Sequence, residues 1–170
     1  MDETIWQGSS WIWLAEGTVN QYVTFRQKFQ LARIPEASTL YLSVDTEYVA
    51  FLNGRLIGMN QYDDYPDDKS YDTLEIAAAL QMGENELRIE AYYQGENSFQ
   101  YITGPAGLRF ALQAGALRIG SGTETDCCLS PHYRSGPIEN ISNQLRFTFH
   151  YDARGDEADW QKACVVWERS

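Results

Sequence analysis

Asn53-Gly54 stands between two apolar runs, residues 48–52 and 56–58, and no other dipeptide in the chain limits the fold as strongly. Both residues tolerate positive φ, so the pair suits the central positions of a type I′ turn, and the flanking runs become antiparallel neighbours. Upstream, Leu40, Leu42 and Val44 alternate with Tyr41 and Ser43, the period of a half-buried strand. Downstream, Leu87, Ile89, Ala91 and Tyr93 repeat that period. Between them, residues 60–72 read as a wet loop rich in tyrosine and aspartate. A short helix is expected next: Asp72 or Thr73 caps it, Ile76, Ala79 and Leu80 form its apolar face, and Gly83 ends it.

The rest of the chain keeps the same rhythm. Residues 11–14 are a short aromatic strand, and residues 20–31 a long two-faced one with Val23, Phe25, Phe29 and Leu31 on one side. Leu108, Phe110 and Leu112 alternate before the Ala114-Gly115 turn, after which Leu117 and Ile119 return as a hairpin. Pro131, Gly136 and Pro137 disfavour regular structure, then Leu145, Phe147, Phe149 and Tyr151 share one face of a further strand. The fold class expected is all-β, an antiparallel β-sandwich with one short helix. Residues 1–170 make a single domain, with the core sandwich at about 10–155; residues 156–170 begin a link or strand toward a following domain, with Cys164 to Trp167 as that strand.

Charge and cysteine usage narrow the function classes. A net charge of −11 opposes nucleic acid, whose affinity rests on Lys and Arg displacing counterions. No apolar run is long enough to span a bilayer, so no membrane partner is expected. Cys127, Cys128 and Cys164 are odd in number and two are adjacent, a poor disulfide framework; with no secretory signal in the first residues, a cytoplasmic location with reduced thiols is expected. His132 and His150 have no neighbour at zinc-site spacing. No Gly-x-Ser-x-Gly elbow, Walker loop or dinucleotide fingerprint occurs, and no acidic pair stands out as a glycosidase pair, so no catalytic residue is assigned.

Several motifs in order carry a resemblance. LNGRLIG and YDTLEIAAALQMGENELRIEAYY resemble the core of the jelly-roll modules at the N-termini of several glycoside hydrolases, which implies a jelly roll of the galactose-binding-domain type. Phe25-Arg26 with Phe29, Asp45-Thr46 with Tyr48, and Asp159-Trp160 with Ala163 are similar to elements of the N-terminal module of bacterial α-L-rhamnosidases. The most specific pieces are Ile141, Ser142, Gln144 and Leu145, then Tyr151, Asp152, Ala153 and Arg154; Arg146 and Phe149 depart from the pattern, where glycine and an acidic residue are expected. In that family a large helical barrel performs hydrolysis. The resemblance therefore implies a non-catalytic accessory module whose partners are the downstream domains of the parent enzyme.

The alternative is a carbohydrate-binding module for L-rhamnose-containing glycans, with or without calcium. Trp11 and Trp13, one residue apart on a strand, are either a sugar-stacking platform or a cap on the core. Asn60, Tyr62, Asp63, Asp64, Tyr65 and Tyr71 combine aromatic faces with planar polar groups suited to saccharide contact, and Gln94, Asn97, Gln100 and Tyr101 are candidates for the same end. Asp63, Asp64, Asp67 and Asp68 supply oxygen ligands of the kind calcium takes, although their spacing matches no calcium loop. An ordinary exposed acidic loop accounts for the same residues.

Overall fold

In the computed structural model, which describes residues 4–155 and 159–167, every period-two run except one becomes a strand. In chain order these are β1 (Trp11–Trp13), β2 (Gln21–Leu31), β3 (Ser38–Asp45), β4 (Glu47–Leu52), β5 (Arg55–Gln61), β6 (Asp72–Glu75) and β7 (Gly83–Tyr93). There follow β8 (Gly107–Ala114), β9 (Leu117–Gly120), β10 (Asp126–Leu129), β11 (Asn140–Ser142), β12 (Arg146–Phe147), β13 (Gln161–Lys162) and β14 (Cys164–Trp167). One six-stranded sheet runs β14-β1-β8-β3-β6 with β9 beside β8, and the other runs β13-β10-β2-β7-β4-β5. Every pairing is antiparallel, so the expected β-sandwich is the architecture.

The core lies where the inner faces meet. Leu40, Leu42, Val44, Leu108, Phe110 and Ile12 come from the first sheet; Val23, Phe25, Ala50, Leu52, Leu87 and Ile89 come from the second. All are at most 1% exposed. The longest ladder joins β2 to β7 from Gln21↔Tyr93 to Leu31↔Gly83, and this register fixes which residues face outward on the second sheet. At the hairpin, Asn53 and Gly54 have φ of 53° and 77°, as a type I′ turn requires. The Asn53 amide also donates to the Ala79 carbonyl and to Asn85, and its carbonyl accepts from the Glu86 backbone N–H, which ties the turn to the start of β7.

Three expectations fail locally. Residues 72–75 form edge strand β6 on β3 instead of a helix, leaving one 3-10 turn at Ala77–Ala79. Too few residues remain for a helix to recover its nucleation cost, whereas pairing with an existing strand supplies ladder hydrogen bonds at once. Gly83, with φ of 84°, opens β7 rather than capping a helix. The run at 145–151 is not a strand either: β12 covers only Arg146–Phe147, and Leu145, Phe149 and Tyr151 are 60, 64 and 54% exposed. Its alternating side chains have no second sheet to cover them. Within the terminal segment, Cys164–Trp167 is a strand, but it pairs with β1 as β13 pairs with β10, so both belong to the sandwich's own sheets; residues 156–158 and 168–170 lie outside the described residues.

Candidate functional site

The corner between β3 and β4 organises one end of the sandwich. Asp45 ends β3 in full burial, and the Lys69 ammonium lies 3.2 Å from it and 2.5 Å from Asp64. The Tyr101 hydroxyl donates to Asp45, as does Thr46, whose own oxygen accepts from the Gln94 backbone N–H at 3.1 Å. Burial pushes the Asp45 carboxyl above its ordinary value, outweighing the Lys69 charge and the hydroxyl donors that pull it down. The loop expected to be wet is thus pinned: Tyr62 and Lys69 are buried, and Asp64 also accepts from the Ser70 backbone N–H at 2.6 Å.

Above this corner, Tyr62, Gln94, Gln100 and Tyr101 converge on one recess of about 190 Å³, together with Glu47 and Gln144. Gln94 is oriented by donating to the Glu96 carbonyl at 2.7 Å, and Tyr62 by donating to the Leu42 carbonyl at 3.2 Å. Glu47 enters because β4 alternates: Tyr48, Ala50 and Leu52 face the core, and Glu47, Val49 and Phe51 face out. Cross-strand pairing sets Glu47 beside Tyr92, and Tyr92 beside Tyr22. Among the described residues no hydrogen bond or ion pair engages the Glu47 carboxylate, and burial pushes its pKa up. Burial, followed by the Glu47 charge, raises the Tyr22 hydroxyl, and Tyr92 shifts the same way.

The other nominated residues lie elsewhere. Trp13 is fully enclosed against Phe25 and Tyr93, and Trp11 is 2% exposed beneath Trp167, whose ring stacks on it at 4.3 Å. Neither indole presents a face to a sugar, so the platform reading gives way to core packing. Tyr71 packs edge-on against Trp6. Tyr65 is exposed near Asp68, to which it is bridged, and Asp63 and Asp67 are exposed. Asn97 accepts from the Thr103 backbone N–H and its carbonyl accepts from Arg146. Asn60 pairs with Tyr48, so its side chain lies on that side of the sheet, where it donates at 3.0 Å to the same Asp72 that accepts from the Tyr48 hydroxyl. Asp63, Asp64, Asp67 and Asp68 do not assemble, and among the described residues no three His, Cys, Asp or Glu side chains are grouped to hold a metal ion.

The recess has an unengaged acceptor in Glu47, amides in Gln94, Gln100 and Gln144, and an apolar rim at Leu145 and Phe149. Such a set can hold a neutral polyol, with hydroxyls on the carboxylate and amides and a C–H face on the rim. Glu47, Gln144 and Tyr22 are not among the binding candidates read from the sequence, where Gln144 figures only in a family-like motif. The available signal was the outward half of each two-faced strand: carboxylate and tyrosine at 47, 92 and 22, where a solvated face usually carries short polar side chains.

No family model matches the sequence, and no curated protein does. Solved structures match by fold. The GH78 family rhamnosidase of Bacillus sp. GL1 superposes with a TM-score of 0.78 at 23% identity, over 94% of this chain and 18% of that one. The α-L-rhamnosidase of Dictyoglomus thermophilum gives 0.76 at 17% identity, over 98% and 22%. The apo lectin of Pleurotus ostreatus gives 0.58 at 18% identity, over 94% and 41%. At these identities the shared property is the sandwich fold, and the chain spans about a fifth of the length of the two rhamnosidases. Among the described residues, no helix is long and apolar enough to cross a membrane.

Proposed function

We propose that this chain is a non-catalytic accessory module of an α-L-rhamnosidase-like glycoside hydrolase, acting beside a separate catalytic domain. The observation that carries the reading is one of proportion: nearly all of this sandwich superposes on about a fifth of each of two rhamnosidases. The chemistry of the recess agrees. Glycoside hydrolysis uses two carboxyl groups roughly 5 to 9.5 Å apart across the bond to be cleaved. Here Asp45 is committed to Lys69, Tyr101 and Thr46, which leaves Glu47 as the open carboxylate of the recess. The free thiols Cys127, Cys128 and Cys164 are consistent with a cytoplasmic setting. The test is incubation of the chain with p-nitrophenyl α-L-rhamnoside: no aglycone is released, and release abolished by one carboxylate substitution refutes the reading.

A second role is favoured by the convergence of Tyr62, Gln94, Gln100 and Tyr101 with Glu47: the recess holds a terminal sugar of the enzyme's rhamnose-containing substrate. With Lys69 already seated between Asp45 and Asp64, this binding needs no added calcium. Calorimetry with L-rhamnose, with and without calcium, checks it. Gln94→Ala weakens binding and Tyr65→Ala, outside the recess, does not; no heat at millimolar sugar excludes this role while leaving the accessory role standing.

A further inference from the structure

We propose that the outer face of the second sheet is a groove for an extended neutral oligosaccharide, running on from the recess at Glu47; this rests on the saccharide-binding role above and adds the length and chemistry of the ligand.

The register of β4, β7 and β2 lays out three rows on that face: Glu47-Tyr92-Tyr22, Val49-Glu90-Thr24 and Phe51-Arg88-Arg26. An outer sheet face with nothing above it is flat, but this one has a wall. Residues 131–151 bring Tyr133 onto Tyr22, stacked at 4.6 Å and 12°, with Tyr151 4.9 Å and Phe149 6.2 Å from Tyr133. Between wall and sheet lie two hollows of about 450 and 520 Å³ that share Val49, Glu90 and Tyr133. The first also shares Glu47, Gln61, Tyr92 and Phe149 with the recess, so the three form one trough. Each large hollow is of ordinary ligand-site size, and the wall makes the space narrow where a protein partner would need a broad face.

The charges in the trough select the ligand. Glu90 accepts from Thr24 at 2.7 Å, a hydrogen bond that leaves its charge in place, and Arg88 lies 3.7 Å from Glu86, so carboxylates outnumber the one arginine that lines the hollows. Glu47, at the end shared with the recess, has no hydrogen-bond or ion-pair partner among the described residues. An anionic ligand meets these carboxylates and a chain of net charge −11, and among the described residues that line the trough the one arginine, Arg88, is already paired with Glu86. A neutral sugar chain fits all of it: ring C–H faces against Tyr133, Tyr151, Phe149 and Met59, hydroxyls toward Glu47 and its cross-strand neighbour Gln61. Phe149, Tyr151 and Met59 are 64, 54 and 65% exposed, large apolar surface that such a chain would cover.

Calorimetric titration with L-rhamnose and with rhamnose-terminated oligosaccharides of two to six residues tests the groove. Affinity rises with length, by about tenfold or more between monosaccharide and hexasaccharide. Tyr133→Ala and, separately, the exposed Tyr151→Ala, neither of which lines the recess, remove that gain and leave monosaccharide binding in place; Glu47→Gln weakens every length. Because Tyr151 is half exposed and lies outside the core, its variant stays folded and keeps the test decisive. Affinity independent of length, or a length gain untouched in both aromatic variants, overturns the groove. Length-independent binding that Gln94→Ala weakens sinks the groove and spares the recess, whereas no binding at any length sinks both.

Discussion

The Lys69 ammonium sits 3.2 Å from the Asp45 carboxylate with 3% of one side chain and 2% of the other exposed, and it also meets Asp64. An acidic loop that reads as solvated is therefore folded onto a cation supplied by its own chain. Removing one member of a buried ion pair leaves an uncompensated charge, so Lys69→Met lowers the unfolding free energy by about 3–5 kcal/mol. Urea denaturation at pH 7 measures it. The deficit narrows as pH falls, because protonating Asp45, whose carboxyl burial already pushes up, removes charge that Lys69 compensates.

Glu47 predicts the opposite sign. Its folded pKa lies above the ordinary 4.5 because burial disfavours the carboxylate, so the folded state binds the proton more tightly than the unfolded chain. Its contribution to stability is full below that ordinary value and is lost as pH rises through the folded one. Glu47→Gln removes this loss, and at pH 7 the variant is more stable by on the order of 1 kcal/mol. Denaturation curves of variant and parent coincide near pH 4 and separate as pH rises. A carboxylate kept against stability is what a binding role requires.

How far the sequence discloses these features follows from what each depends on. The hairpin at Asn53-Gly54 and the strands carrying Leu42, Ile89 and Phe110 are legible because turn chemistry and period two are local properties. The recess is not, because it depends on register: Glu47 meets Tyr92 and Tyr22 only through pairing across three strands. Lys69 is hidden for the same reason, since Asp45 lies 24 residues upstream of it. Residues 145–151 mislead in the other direction. Their alternation is that of a strand, but Phe149 and Tyr151 stand as a wall over the sheet and do not pair within it.

The turn itself is tested by Gly54→Ala. With φ of 77° the residue lies in the left-handed region, while nothing stands within 4 Å of an added Cβ, so any loss is conformational. A loss of about 1 kcal/mol in thermal or urea unfolding is expected. Asn53→Ala costs more, on the order of 1–3 kcal/mol, because Glu86 N–H and Asn85 lose their partner at a half-buried position.

Thiol chemistry separates the three cysteines. Burial pushes Cys127 up to about 12 and Cys128 to about 11, so both are thiols at neutral pH as well as enclosed. Cys164 is exposed on β14. Maleimide at pH 7 labels Cys164 in the native chain, and all three react after unfolding; mass spectrometry of the digested protein reads the sites.

Binding without turnover is most directly examined in one sample, by following amide correlation spectra of the chain during titration with methyl α-L-rhamnoside. The account predicts saturable shifts at Glu47 and at the side-chain amides of Gln94, Gln100 and Gln144, with the glycoside intact at the end. Spectra unchanged at tens of millimolar glycoside, or methanol released by a reaction that a single carboxylate substitution stops, contradict it.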